Sequence, residues 1–411
     1  MGKNLVLSML PVDQAQTLIL QAIAPLTGTE TATLETGLGR ILATEVTGKL
    51  DIPHWDNAAM DGYAIRFVDL KETPVELEVI ETIPAGQVPS QSLQGGQAAR
   101  IFTGAMLPEG ADTVVMQEHT KHQGTLVKIL QNPTYRQFVR QRGDYYQAGK
   151  PILQAGQRLG PADLAVLAAC QCVEFPVYRR PVVAIFSTGD ELRSPEESLR
   201  MGQIVDSNRY GLTAFVQSQG AIAKNLGIVP DDPAQLKATM AEAIASADVV
   251  LSTGGVSVGD FDYVEKLLET LGGEIFIRSV AIRPGKPLTV AKFPGNKLYF
   301  GLPGNPVSAL VGCWRFVQPA LKKLAGYTGA YAPTFVWATC GQTLKGAGSR
   351  DAYLWGTLRT EATGYVFQPA GGGHSSANLV NLAQTNALAI VPTGTPEITP
   401  GDRLQVMLLS T

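Results

Sequence analysis

The chain has 411 residues, 45% of them hydrophobic and 17% charged, enough for two to four domains with substantial cores. Its 33 Lys and Arg against 36 Asp and Glu leave a net charge of −3, so no basic face for nucleic acid is implied. No run approaches the ~20 apolar residues of a membrane span, no signal sequence is evident, and four cysteines without a Cys-x-x-Cys pair point to reduced thiols in the cytoplasm.

Residues 11–26 predict an amphipathic helix, because Val12, Ala15, Leu18, Ile19, Ala22, Ile23 and Leu26 share one face. Residues 38–46 are expected to extend that helical layer. Short alternating runs at 75–80, 113–116 and 126–129, separated by Gly and Pro, make residues 50–141 a mainly β module. Helical pattern returns at 161–169, where Pro161 suits a first turn. The β module is therefore read as an insertion into a helical platform of residues 1–49 and 142–179.

Residues 180–327 repeat strand–loop–helix units. This predicts an α/β domain around a doubly wound parallel sheet, covered on both faces. Strand 182–186 ends in Ser187-Thr188-Gly189-Asp190-Glu191, and strand 221–229 in Pro230-Asp231-Asp232-Pro233. Strand 249–251 gives way to a loop containing Thr253, Gly254, Gly255, Ser257, Gly259 and Asp260, then to a helix with Phe261, Val264, Leu267, Leu268 and Leu271 at helical spacing. Residues 280–282 lead into Arg283-Pro284-Gly285-Lys286-Pro287, and 297–300 into Gly301-Leu302-Pro303-Gly304-Asn305-Pro306 before a helix over 307–323. From 328 to 411 the helical pattern disappears and five short runs read as strands of a small β domain.

Ligands of open parallel sheets bind outside the carboxyl ends of the strands, which places these five loops on one edge. Each loop alone also fits a solvated turn or a helix cap; their conjunction carries the functional reading. A glycine loop entering a helix is an anion cradle, since backbone N–H groups and the helix dipole face the ligand. Asp260 and Asp262 beside such a cradle repel a phosphate unless a cation intervenes, which points to Mg²⁺. Arg283 and Lys286 suit a second anion, and Gly371-Gly372-Gly373-His374-Ser375-Ser376 with Arg350 has the makings of an anion nest. His119 and His122 lack a third ligand nearby, which argues against zinc. No Walker A run, Gly-x-Ser-x-Gly elbow or His-Glu-x-x-His occurs.

Six motifs in order resemble the molybdopterin molybdenumtransferase (molybdenum insertase) family, to which the E domain of gephyrin is related. They are Asp56-Asn57-Ala58-Ala59-Met60-Asp61-Gly62-Tyr63-Ala64, Phe102-Thr103-Gly104-Ala105, Ser187-Thr188-Gly189-Asp190-Glu191-Leu192, the 252–262 run, Arg283-Pro284-Gly285-Lys286-Pro287 and the 301–308 run. The resemblance implies four subdomains ending in a small C-terminal β-barrel domain, and a homodimer whose active site is completed by the partner's β module. It implies adenylated molybdopterin and molybdate as substrates and AMP as product of an Mg²⁺-dependent step.

Position by position, it implies catalytic roles for Asp61, Thr103, Glu191, Asp231 and Asp262, with Asp262, Asp260 and Glu191 at the metal. Asp190, Gly254, Gly255, Ser257 and Ser308 are expected at the pterin nucleotide, in a loop shaped by Pro303 and Pro306. Arg283, Lys286, Arg350 and Ser375 are expected at molybdate. The chain departs from the pattern at Tyr145, where an acid is expected beside Asp144, and at Arg283, where Lys is common. The poor match of the 371–376 loop leaves Ser375 and Ser376 as alternatives. Alternative functions are a molybdopterin adenylyltransferase and a non-catalytic scaffold, and an adenylyltransferase is also a candidate docking partner.

Overall fold

The computed structural model describes residues 9–254, 261–362 and 364–409. Helix α1 (Val12–Gln21) forms as its periodicity predicts, but its apolar face does not pack on helix α2 (Pro161–Ala169). Val12, Ala15 and Ile19, with Ile23 and Leu26 beyond the helix, are buried in the main core of the α/β domain. Residues 38–46 are not helical. They run as turns and isolated β-bridges, Ile41 to Arg158 and Leu42 to Val177, beside the antiparallel pair Thr29–Thr33 and Glu174–Tyr178. Gly39, at φ +74°, stops any helix there, and long-range pairing then decides the conformation. A separate core of Leu42, Leu159, Leu167, Cys170 and Phe175 fills this layer. All four cysteines are buried and unbridged, as small apolar residues.

The inserted module is mainly β. Its six-stranded sheet runs in the order Thr113–Met116, Gly62–Ile65, Gln97–Ile101, Val75–Ile83, Leu126–Ile129, Thr120–Gln123. Alternation splits its apolar residues between two cores: Ala64, Ala99, Ile101 and Val114 lie in one, Tyr63, Ile65, Ala98 and Val115 in the other.

The α/β domain contains β1 (Val182–Thr188), α3 (Asn208–Ser218), β2 (Ile222–Val229), α4 (Pro233–Ser246), β3 (Val249–Thr253), α5 (Phe261–Thr270), β4 (Glu274–Ser279), β5 (Pro287–Phe293), β6 (Lys297–Leu302) and α6 (Pro306–Gly312). The sheet order is β2-β1-β3-β6-β5-β4. Val183, Ile185, Val249, Leu251 and Phe300 face α1, α3 and α6, whereas Ala184, Phe186, Val250 and Tyr299 face α4 and α5. Both faces are thus buried, and the strands read as continuous apolar runs.

The sheet is parallel from β2 to β6; β5 alone runs the other way, pairing antiparallel with both β6 and β4. Gly295 and Asn296, at φ +80° and +65°, reverse the chain between β5 and β6 with no crossover helix. The reversal has a useful consequence. Thr289 pairs with Gly301, so the start of β5 lies at the carboxyl end of β6. The Arg283–Lys286 loop therefore reaches the expected edge by preceding an antiparallel strand, not by following a parallel one.

Residues 335–408 form a closed five-stranded barrel, because Asp351–Glu361 pairs both with Gly364–Pro369 and with Ala387–Val391. Trp355, Tyr353, Leu388 and Met407 of the barrel join the α/β core directly.

Asp248 anchors the start of β3. Its two carboxylate oxygens accept from both Arg179 Nη atoms at 2.7 Å, and one also accepts the Val182 N–H at 2.8 Å. Burial pushes the Asp248 pKa up, but Arg179 and the Val182 N–H outweigh it and hold it below the usual carboxylate value. A depressed folded pKa stabilises the protein above the unfolded value, and that contribution disappears as pH falls through the folded one. Asp248→Asn is expected to cost about 2 kcal/mol at pH 7, with the difference from wild type closing as urea unfolding is repeated at progressively acidic pH. A difference that persists below both pKa values would show that charge is not what Asp248 contributes.

Candidate active site

A two-residue strand positions the basic loop. Ile282 and Arg283 pair in parallel with Asp351 and Ala352 of the barrel, adding a short sixth strand to it. Ile282 is buried and Arg283 exposed, so the alternation fixes which side chain is presented. Arg350, next to the paired Asp351, is thereby brought to the same place from the other domain. Between the domains lies a cleft of about 990 Å³ that includes Arg283, Lys286, Lys345, Arg350, Pro303, Ser308, Ser375 and Ser376 in its lining. Four cations and no carboxylate line it among the described residues. Sequence reasoning missed Lys345, which sits in a two-residue strand paired with Glu397–Ile398 outside the barrel and carries no local signal.

The far wall of the cleft is the glycine run. Gly372 and Gly373 both have φ +80°, a region that side chains disfavour. Asn381 pins the turn by donating to the Gly371 and Gly373 carbonyls at 2.9 and 2.6 Å, while accepting from Trp355 Nε1 at 2.8 Å. His374 packs edge-on against Trp355, with Nε2 2.9 Å from the Trp355 carbonyl oxygen. Burial lowers the His374 pKa, the Arg283 charge adds to that, and the Trp355 carbonyl opposes both. Both serine alternatives line the cleft, in different settings. Ser376 Oγ accepts from Asn305 Nδ2 at 3.0 Å, latching the Leu-Pro-Gly-Asn-Pro loop across the cleft, whereas the exposed Ser375 keeps its hydroxyl free of that bond.

Next to the cleft, at the carboxyl ends of β1, β3 and β6, three loops touch. Gly254 has φ +90°, and a Cβ there would stand 2.0 Å from the Thr188 carbonyl oxygen. A Cβ on Gly304 would approach Gly254 Cα to 3.8 Å. The acidic loops assemble on the same edge: Thr188 Oγ1 donates to Asp231 at 2.7 Å, and the Asp231 N–H donates to Asp190 at 3.2 Å. Glu191 folds back over Gly189. Beneath them lies a buried network that motif reading did not find. Asp206 accepts from Ser187 Oγ at 3.0 Å and from Arg209 Nε at 3.1 Å, and Ser187 shares a 3.0 Å bond with Thr253. Asn208 donates to the Gly304 carbonyl at 2.7 Å. The available signal was Asp206-Ser207-Asn208, three polar residues at the start of a helix.

Among the predicted residues, Arg283, Lys286, Pro303, Ser308, Arg350 and Ser375 therefore share one cleft, with Pro306 opening helix α6 behind it. Gly254, Asp190, Glu191 and Asp231 occupy the adjoining edge. Asp61 and Thr103 are not in the cleft lining; they bond to each other on the β module, where Asp61 Oδ1 accepts from the Thr103 N–H and hydroxyl at 2.7 Å each. Asp144 caps its own turn through the Gln141 N–H, and Tyr145 is exposed. Gly255, Ser257, Asp260 and the Asp262 side chain lie outside the described residues, and among the described residues no three His, Cys, Asp or Glu side chains form a metal-holding group.

Comparison with known proteins agrees with this architecture. Residues 10–170 match the MoeA N-terminal region (domain I and II), 184–323 the probable molybdopterin binding domain, and 338–409 the MoeA C-terminal region (domain IV). The chain is 53% identical over 387 residues to a molybdopterin molybdenumtransferase of Nostoc sp., covering 93% of this chain and 89% of that one. It is 33% identical to the Haemophilus influenzae molybdopterin molybdenumtransferase, over 97% of this chain and 98% of the relative. The crystal structure of the molybdopterin biosynthesis moeA protein from Pyrococcus horikoshii OT3 superposes with a TM-score of 0.84 at 29% identity, covering 98% of this chain and all of the other. Motifs, barrel, interdomain cleft and full-length similarity converge, and the chain belongs to the molybdopterin molybdenumtransferase (MoeA) family.

Proposed function

We propose that the protein transfers molybdenum from molybdate to adenylated molybdopterin and releases AMP. The observation that carries this reading is the cleft itself, with four cations from two domains and no carboxylate in its lining. Molybdate is a dianion and the phosphoanhydride is also negative. Two unit charges 4 Å apart repel by about 4 kcal/mol near a protein surface, so the pair requires compensating charge. Arg283, Lys286 and Arg350 supply it at the oxyanion, with Lys345 beside them and the Ser375 hydroxyl as a further donor. Gly254 and the Pro303–Pro306 loop bind the nucleotide end, and holding both reactants turns an encounter into a positioned reaction.

We assign Mg²⁺ to the acidic edge, where the described carboxylates do not by themselves form a metal-holding group and Asp260 and Asp262 are needed beside Glu191. Glu191, Asp190 and Asp231 are hard oxygen donors, and each keeps at least one carboxylate oxygen unbonded among the described residues. Asp260 and Asp262 complete this set in our reading. When bound, Mg²⁺ would polarise the phosphoanhydride as a Lewis acid. Asp61 and Thr103 belong to the same reaction through a homodimer, as the contribution of the partner's β module. Their position on the β module, away from the cleft lining, supports that arrangement. A cytoplasmic setting suits the four buried, unbridged cysteines, which fit a reducing compartment. The names of the relatives favour molybdenum transfer over adenylyl transfer.

Two predictions follow from the assigned charges. Lys286 is exposed, so Lys286→Ala should leave the unfolding temperature unchanged and raise the molybdate concentration for half-maximal AMP release at least tenfold, from loss of a charge-assisted bond of about 1.5–3 kcal/mol. An unchanged molybdate requirement would remove Lys286 from the oxyanion site. Thr103 holds the Asp61 carboxyl below its usual value through its hydroxyl first and its N–H second. Thr103→Val should raise the Asp61 pKa in a carboxyl-carbon NMR titration, and an unmoved titration would show the hydroxyl bond to be absent in solution.

A further inference from the structure

A second basic cavity lies at the opposite edge of the sheet. It measures about 580 Å³, within the roughly 300–1,000 Å³ of small-molecule sites. Arg40, Arg158, Arg179, Arg180 and Lys322 line it, with Tyr178, Tyr327 and the amide side chains of Gln217 and Gln219, and the lining contains no carboxylate. Two of the five charges are already compensated from outside, Arg40 by Glu30 at 2.7 Å and Arg179 by Asp248 at 2.7 Å. Arg158, Arg180 and Lys322 have no ion-pair partner among the described residues. In a chain with slightly more acids than bases, three uncompensated cations facing one cavity are not the average surface.

The background field does not neutralise them. Two helices, α3 and the one over Gln318–Leu324, end at this cavity, and each carboxyl end carries roughly half a negative charge. That amounts to about one charge against three. Lys322 is half-buried and its pKa is pushed down, first by burial and then by the Arg158 charge, the signature of a cation short of a counter-ion.

The walls are fixed by backbone pairing: Tyr178 N–H to Ile41, Gly39 N–H to Leu159, Arg179 N–H to Gly28 and Thr328 N–H to Gly156. Arg40 also donates to the Tyr178 carbonyl at 2.9 Å. Pro181, in the lining, precedes β1, whose far end carries Thr188 on the catalytic edge. Seven residues of strand separate the two edges by about 20 Å, so this cavity is not part of the cleft.

We propose that this cavity is a second anion site, built for a small, multiply charged phosphate compound held by Arg158, Arg180 and Lys322. Inorganic pyrophosphate is a suitable probe. To keep the cleft out of the measurement, binding is followed by calorimetry on full-length protein carrying Arg283→Ala, Lys286→Ala, Lys345→Ala and Arg350→Ala, which removes every cation of the cleft lining. Pyrophosphate should bind it and raise its unfolding temperature beyond the effect of KCl at matched ionic strength. Adding Arg158→Ala and Lys322→Ala should weaken binding at least tenfold, while Lys322→Arg alone should retain it. Equal binding after removal of both cations would overturn the proposal, as would a response no larger than that to KCl.

Discussion

The arrangement of this protein depends on two residues of parallel pairing, Ile282 and Arg283 against Asp351 and Ala352. Hydrogen bonds of this kind contribute only about 1 kcal/mol each, so they fix register more than they hold domains together. The holding comes from apolar burial: Ile282, Val280 and Leu288 share one core with Tyr353, Trp355, Leu388 and Met407 of the barrel. Arg315, 2% exposed, ties the same junction by bonding Tyr353 and the α1 residues Asp13 and Gln16. With the barrel docked in this register, Arg283 and Arg350 approach one cleft from two domains. A one-residue slip would turn Arg283 inward and Ile282 outward, and the cleft would lose part of its charge.

Charge is segregated along the sheet. At the carboxyl edge an acidic loop set and a cationic cleft lie side by side, which suits a ligand pair that is anionic but needs a cation between its parts. Asp206, Ser187, Thr253 and Arg209 hold that edge from beneath, so the loops rest on a satisfied buried network. Asn305 and Ser376 join the loop after β6 to the barrel across the cleft. At the amino edge, the Arg158–Lys322 cavity is cationic without an acidic neighbour in its lining. A near-neutral net charge conceals both features.

Much of this was legible in the sequence because the site is carried by loops with unusual composition. Gly254 is there because a Cβ would strike Thr188, and Pro303, Pro306 and Lys286 appear in runs that few surface turns would need. What sequence did not reveal lies in long-range pairing. Residues 38–46 have helical spacing but serve a β layer, and α1 has a helical face whose partner lies across the chain in the α/β core. The reversed β5 follows from a short glycine–asparagine turn into β6 that reads like any loop. Lys345 and the Asn305–Ser376 bond carry no local signal, since their meaning arises only when barrel and sheet meet.

The most direct test of the central claim is anomalous diffraction at the molybdenum edge from crystals soaked in molybdate. The account predicts a peak in the interdomain cleft, within hydrogen-bond reach of Arg283, Lys286 and Arg350. A fully occupied molybdate elsewhere on the molecule, with the cleft empty of it, would contradict the account.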